Sequence, residues 1–441
     1  MEDLQPKQGS PRVLKVLEAL KQASHELQTH PSPDSADSNS SAINALLELE
    51  TESDNILSKD PHLSTLSQHL ATLKNLVEAL KKSKGHHSIS SFLTRCCSTH
   101  CLSRLAASIE SEIQAWIDRE SLESLTRALK EPLLNEDELV KLLNQFEDRV
   151  LQGFNRELQD LILKSKVFTL LESVLCDSHC SKRVREHSAF AIAALIKFNK
   201  DVFVGQVLMG RTIKALLTMA SPNAIRVLCT LIRLIKSPLV DEIEFNGEIP
   251  KIISFLNRED LEMRVMAMVC ILEIGYFGRK EAIDAMLEEG LIKKLVELQR
   301  SELGRDLTEM GLDEDDKENR EVAAGGGGVK EKKTARECRE NRFFENHPFS
   351  SCVARFAVQL EVGEGLRQRE RRAFKQQILM RVREASISDA EAATIIAELN
   401  EAFKESGIHL YAGNLKLAYA AGLENMICLV LRNQKINTRQ F

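Results

Sequence analysis

Apolar positions recur at helical spacing along nearly the whole chain, and their pattern repeats. Gly247-Glu248-Ile249-Pro250-Lys251-Ile252-Ile253-Ser254-Phe255-Leu256 is echoed by Gly290-Leu291-Ile292-Lys293-Lys294-Leu295-Val296-Glu297-Leu298, 43 residues on from Ile249 to Ile292. Gly210-Arg211-Thr212-Ile213-Lys214-Ala215-Leu216-Leu217 carries a weaker copy with one extra residue after the glycine, 36 residues before Ile249. Ser165-Lys166-Val167-Phe168-Thr169-Leu170-Leu171 fits the same frame without the glycine, 46 residues before Ile213. A period near 40 residues is the signature of a helical solenoid, in which each unit buries its apolar face only against its neighbours.

Between these starts lies a second recurring element. Val184–Leu195 is apolar nearly all round from Ala189 onward, and Ala224–Ile232 and Met263–Leu272 follow the same rule. A helix apolar on every side has to be buried on every side. A glycine-started amphipathic helix alternating with a small-residue, fully apolar one resembles the armadillo repeat, whose third helix is the sandwiched one. The resemblance covers three to four units. It implies an all-α, right-handed α-α superhelix, an armadillo-like solenoid preceded by an N-terminal helical bundle.

The rest of the chain divides around this core. Residues 1–150 read as the N-terminal helical region. Its amphipathic segments are 12–29, 42–56, 61–83 (Leu63, Leu66, Leu70, Leu73, Leu76, Val77, Leu80), 88–116, a run from Ser121 to Lys130, and 136–154, with a Ser/Asp/Pro-rich linker near 31–41. Such a region is expected to cap the repeats, because a terminal unit otherwise exposes core. The repeats occupy 155–300. Residues 301–345 change character: Asp313-Glu314-Asp315-Asp316 is acidic, and Gly325–Gly328 are four glycines that no helix crosses cheaply, at roughly 1 kcal/mol each relative to alanine. This stretch is expected to be a disordered acidic, Gly-rich insertion inside the repeat that Gly290 begins, with Phe349–Val362 as that repeat's third helix. Residues 346–397 complete this last repeat and add a basic helix, Leu366–Glu384. Residues 398–441 form a C-terminal helical tail.

Composition narrows the function. The chain has 441 residues, a formal net charge of −6, and only 5% aromatic residues, which favours Leu/Ala-packed helices over sheets. So weak a charge gives no global pull toward nucleic acid or an anionic membrane, and no apolar run reaches the roughly 18 to 20 residues of a membrane span. The ten cysteines, several inside apolar helices (Cys229, Cys270, Cys352, Cys428), fit reduced thiols, so the expected location is intracellular, in cytoplasm or nucleus.

No catalytic or cofactor motif appears: there is no nucleophile elbow, phosphate loop, dinucleotide fingerprint or metalloprotease motif. Cys96, Cys97, His100 and Cys101, with His86 and His87 near, form one Cys/His cluster, and Cys176, His179 and Cys180 another. Zinc sites usually use two ligand pairs separated by a longer loop, and four ligands so close on one helix do not converge, so both clusters read as ordinary thiols and imidazoles. Lys317-Glu318-Asn319 matches a three-residue destruction signal, a length that chance supplies often. The basic helix reads as a solvated repeat helix, because Phe374, Ile378, Leu379 and Val382 give it an apolar stripe; a nuclear-import signal or an anionic-surface contact is the other reading.

The resemblance then narrows the function further. Armadillo nuclear-import adaptors carry a ladder of asparagines with tryptophan one turn earlier; the corresponding positions here are Lys197, Arg233 and Glu273, without tryptophan. Plant ubiquitin ligases join a U-box to the repeats, and no Cys-Pro-Ile segment of that type stands in residues 1–150. The expectation is a non-catalytic scaffold or adaptor of plant armadillo type without a U-box. It needs no cofactor or metal and binds another protein, or an extended segment of one, along the groove of stacked third helices. Lys197, Arg226, Arg233, Arg264 and Glu273, the polar residues on those helices, are the candidate contacts. The alternative is a regulatory or adaptor subunit of a ubiquitin-ligase complex. Neither nucleic-acid binding nor a membrane span is expected, and no feature indicates an oligomeric state.

Overall fold

The computed structural model describes residues 89–130, 135–301, 303–304 and 347–409, together with Leu17, Lys21, Gln22, His25, residues 65–72 and Asn75. The described chain is all-α, without a strand. The expected linker at 31–41, most of the first amphipathic segments, nearly all of the 301–345 insertion and residues 410–441 lie outside the described residues. Among the described residues no single helix is long and apolar enough to cross a membrane.

The chain forms two compact units: residues 1–142 with 154–170, and residues 143–153 with 171–441. The first is built on α1 (Ile89–Lys130), the opening of α2 (Glu136–Leu151), α3 (Arg156–Ser165) and the start of α4 (Val167–Cys176). The apolar pattern predicts a break between Trp116 and Ser121, and the structure shows none. Asp118-Arg119-Glu120-Ser121 contains no glycine or proline, and Gln114 donates to Asp118 one turn on (Nε2 to Oδ1, 2.6 Å), so the helix runs through for 42 residues. Ile109, Ile113, Trp116, Leu122 and Leu125 are buried along α1, and α3 packs against it through Leu158 and Ile162. Asn155 caps α3 by accepting the Leu158 N–H at 2.9 Å.

The second unit is a serial stack. Its helices, beyond the remainder of α2 and α4, are α5 (Lys182–Phe198), α6 (Lys200–Met209), α7 (Thr212–Met219), α8 (Pro222–Ile235) and α9 (Ser237–Phe245). They continue with α10 (Ile249–Ser254, extended by a 3-10 turn, Phe255–Asn257), α11 (Leu261–Phe277), α12 (Lys280–Glu288) and α13 (Leu291–Arg300). The last three are α14 (Cys352–Val362), α15 (Gln368–Ala385) and α16 (Asp389–His409). Contacts follow a fixed rule: α5 packs on α8, α8 on α11, α11 on α14 and α14 on α16, while α6 meets α9, α9 meets α12, and α13 meets α15. Each class of helix touches its own kind in the next layer, which is how a helical solenoid is built.

The sequence explains the regularity. The apolar helices α5, α8 and α11 each begin at a short polar cap: Ser181 accepts from Val184 N–H (3.3 Å), Ser221 from Ala224 N–H (3.2 Å) and Asp260 from Glu262 N–H (3.0 Å). From Ala189 to Ile196 in α5, and from Val265 to Gly275 in α11, nearly every residue is buried, because helices lie on all sides. The turn before each amphipathic helix needs a left-handed residue. Gly247 (φ 66°) and Gly290 (φ 80°) supply it, and Lys166 (φ 54°) takes that conformation where the glycine is missing. At Gly210 the turn differs, with φ −91° and one more residue before the helix.

α13 and α14 are packed together although 51 residues separate them, and the two ends of the intervening segment meet where Phe349 N–H donates to Leu303 O (3.2 Å). Closing even a long loop costs little more than closing a short one, so the stack tolerates the interruption.

Candidate partner-binding face

The candidate face is the row of polar side chains on α5, α8 and α11, three helices that are otherwise apolar. Helical register sets it: Glu186 on α5, Asn223 and Arg226 on α8, and Glu262 on α11 lie toward the helix starts, while Lys197, Arg233 and Glu273 lie toward the ends. Charged groups inside so apolar a stack persist only when paired or hydrogen-bonded.

At the starting end, Asn223 donates to Glu186 (Nδ2 to Oε2, 2.8 Å), and Arg226 stands 3.6 Å from Glu262 (Nη2 to Oε1). Arg226 is therefore held between carboxylates of the helices on either side. Burial pulls its pKa below the usual arginine value, and Glu262 and Glu186 act against that pull. Burial likewise raises Glu262, with Arg226 opposing. The 3.6 Å separation is an ion pair longer than a hydrogen bond, so Nε and Nη2 of Arg226 have no acceptor.

At the far end, Arg233 donates from Nε to Glu273 Oε1 at 2.5 Å. Glu273 is 7% exposed; burial raises its pKa and Arg233 works against this. Nη2 of Arg233 has no acceptor. Beside the pair, Lys236 donates to Glu364 (Nζ to Oε2, 2.9 Å) and lies 5.8 Å from the centre of the Phe277 ring. Tyr276 is half-buried.

Of the five residues singled out in the sequence, the structure brings Arg233 and Glu273 directly together. It buries Arg226 against Glu262 and leaves Lys197 exposed on α5. Arg264 sits elsewhere, its guanidinium 4.9 Å from the centre of the Phe349 ring. Sequence reasoning missed the partners Glu186, Asn223 and Glu262. Their signal was a glutamate near the start of both α5 and α11, flanking an arginine on the helix between.

The two Cys/His clusters are described only in part. Cys180 donates to Asp177 (Sγ to Oδ2, 3.4 Å) and His179 is exposed; Cys101 is exposed, and the side chains of Cys96, Cys97 and His100 lie outside the described residues. Among the described residues no three His, Cys, Asp or Glu side chains gather as a metal site. Two arginines tie the basic helix α15 into the stack, while Arg369, Arg372 and Arg383 are exposed. Arg371 donates to the carbonyls of Glu361, Gly363 and Leu366, and Arg381 to that of Leu287 (2.7 Å), so both neutralise the exposed carbonyl ends of neighbouring helices.

No protein-family model matches the chain, and no curated protein is significantly similar to it. Among solved structures it is similar to a designed armadillo repeat protein at 16% identity, over 64% of this chain and 99% of that one, with a TM-score of 0.38. It is also similar to the karyopherin Kap121p bound to the extreme C-terminus of the protein phosphatase Cdc14p, at 12% identity over 97% of this chain, with a TM-score of 0.40. This chain spans 41% of the karyopherin's length.

Proposed function

We propose that this chain is an armadillo-like scaffold that binds an extended segment of a partner protein across α5, α8 and α11, without catalysis of its own. The observation that carries the reading is the row of charged groups on three otherwise apolar helices, in which Lys197 is exposed and Arg233 is about one-third exposed. Charged groups kept on helices this apolar call for a reason. Backbone carbonyls or carboxylates of an extended peptide would meet the accessible parts of Arg233 and Lys197. Lys197 and Tyr276, exposed and half-buried on the flanking helices, would border the same segment. The reading extends to the layers: residues 155–300 and 346–397 as armadillo-like repeats, 301–345 as an insertion into the repeat that Gly290 opens, and a plant-type intracellular protein. An adaptor role in a ubiquitin-ligase complex is a special case of this binding and draws on no separate feature of the chain.

Arg226, Arg233 and Glu273 are poor choices for a functional test, because their pairs also hold the stack together. Lys197→Glu and Tyr276→Ala change exposed or half-buried groups instead. Peptides selected from a display library by the full chain are expected to lose binding to either variant while its helical circular dichroism and melting temperature hold. Peptides that bind the variants as well as the parent would remove this face from consideration.

A further inference from the structure

A second site stands away from that row. A depression of about 260 Å³ opens between the turn after α10, the start of α11 and the end of α13, lined by Asn257, Arg258, Arg264, Lys294, Glu297 and Ser301 among others. It holds three cations against one carboxylate, and that carboxylate is already engaged: Glu297 accepts from Lys294 (Nζ to Oε2, 3.1 Å). Glu259 and Asp260 follow Arg258 in sequence but lie outside the lining, and Asp260 accepts from the Glu262 N–H as the cap of α11.

Arg264 is the built part of this site. Its guanidinium lies 4.9 Å from the centre of the ring of Phe349, a fully buried side chain. Its Nε is buried without an acceptor, and burial pulls its pKa below the usual arginine value. A partly desolvated guanidinium whose remaining N–H groups line the depression, beside a second arginine and a lysine, is the arrangement that takes a tetrahedral oxyanion by forked hydrogen bonds. Asn257 adds a neutral donor to the lining, while the Ser301 hydroxyl donates to the Leu298 carbonyl (2.6 Å). Two positive charges in excess match a dianion better than a single carboxylate.

We infer that the depression around Arg258, Arg264 and Lys294 is a phosphoryl-binding pocket, suited to a phosphorylated serine or threonine side chain. The inference does not rest on the α5–α8–α11 row, since no residue is shared. It also gives Phe349 a role beyond packing, as the aromatic ring beside which the Arg264 guanidinium lies.

The test uses the full chain and three probes: inorganic phosphate, a short Gly/Ala host peptide carrying one phosphoserine, and the same peptide with serine. Binding is read by calorimetry and by the shift in melting temperature. Saturable binding of the phosphopeptide, with the serine peptide inert, is the expected result. Arg264→Gln and, separately, Lys294→Gln are each expected to weaken it at least about tenfold, the loss of one charge-assisted contact. Arg264→Lys is expected to fall short of the parent, since a point charge lacks the fork. Lys294, half-buried on α13, keeps the test decisive if the Arg264 variants melt early. Inorganic phosphate bound as tightly as the phosphopeptide would assign the pocket to free phosphate within the same chemistry. Absence of binding by the parent at millimolar probe, or equal binding by a folded Lys294→Gln variant, overturns the inference.

Discussion

Arg233 on α8 donates to Glu273 on α11 at 2.5 Å, across 40 residues of sequence, and so joins two successive layers of the stack. The pair is asymmetric: Arg233 is about one-third exposed and Glu273 almost wholly enclosed. Removing one partner therefore does not have the same consequence on both sides. Arg233→Ala leaves a buried carboxylate uncompensated, and a loss of about 2–4 kcal/mol is expected, near the range for broken buried pairs. Glu273→Gln keeps an acceptor for Nε and is expected to cost about 1 kcal/mol. Replacing both residues by methionine should come close to neutral, because it removes two desolvation penalties along with one attraction. Denaturant titration of the parent, the two methionine single variants and the methionine double variant, treated as a double-mutant cycle, measures the coupling. A coupling near zero would show that the two charges do not depend on each other.

The layers are also tied at their edges. Glu172 on α4 accepts from Arg211 N–H (2.8 Å) and from Thr212 Oγ1 (2.8 Å), closing the open N-terminus of α7 in the next layer. Gly210 makes room for this. A Cβ there would stand 2.3 Å from Glu172 Oε1 and 2.4 Å from the Gln206 carbonyl oxygen. Gly210→Ala is thus expected to displace the cap and destabilise by about 1–3 kcal/mol, the usual cost of overpacking. Glu172→Ala should lose a similar amount by stranding the buried Thr212 hydroxyl. Since both changes act on one contact, the pair of them should cost less than their sum in thermal melts.

Much of the stack was legible because two periodicities coincide. The glycine-led starts at Gly247 and Gly290 demand a left-handed residue, and the apolar helices at Ala189, Val227 and Val265 demand neighbours on every side. What escaped was conformation that no residue type announces. Ala220 and Lys236 end α7 and α8 with φ of 47° and 69°, a conformation disfavoured for side-chain-bearing residues and imposed here by the packing of the next helix. The continuity of α1 through Asp118 escaped too, since a gap in the apolar pattern looks the same whether the helix breaks or carries a buried, hydrogen-bonded polar residue such as Asp118. Of the candidate site, the cations could be read from the sequence and their pairing could not. Arg233 and Glu273 stand 40 residues apart, and only the stacking distance of two helices makes them partners.

Gly275 tests the closeness of that stacking. A Cβ on it would meet the Phe356 ring of α14 at 3.1 Å and Gln359 Cβ at 3.5 Å, and Phe356 is fully enclosed. Alanine gains about 1 kcal/mol of helix propensity over glycine, which offsets a contact tight by a few tenths of an ångström. Gly275→Ala is expected to change stability by less than about 1 kcal/mol, and Gly275→Val to cost about 1–3 kcal/mol because a branched side chain has no room to shift. Chemical denaturation of both variants separates tight packing from a glycine that is merely tolerated; a harmless valine would show that α11 and α14 move apart freely.

Acid sensitivity should concentrate at the start of α16. Glu391 accepts two bonds from Arg300 (Nε to Oε1, 2.8 Å; Nη2 to Oε2, 3.0 Å) and one from the Ile387 N–H (2.7 Å), so three donors favour its charged form. The hydrogen bond from Arg300 is the largest influence, and it holds the carboxyl below the usual glutamate value of 4.5. A group whose folded-state pKa is depressed contributes stability above its unfolded value, and that stability is lost as pH falls through the folded value. The contribution is expected to be about 1 kcal/mol at neutral pH, as for a well-formed bidentate pair near the surface. Glu391→Gln should therefore be less stable than the parent at pH 7, and the gap should close as pH drops below 4.5. Arg300→Gln should show the same convergence, since it removes the other half of the pair. Melting curves of the three proteins across that range provide the check, and a gap that stayed constant with pH would mean the residue acts through packing and not through charge.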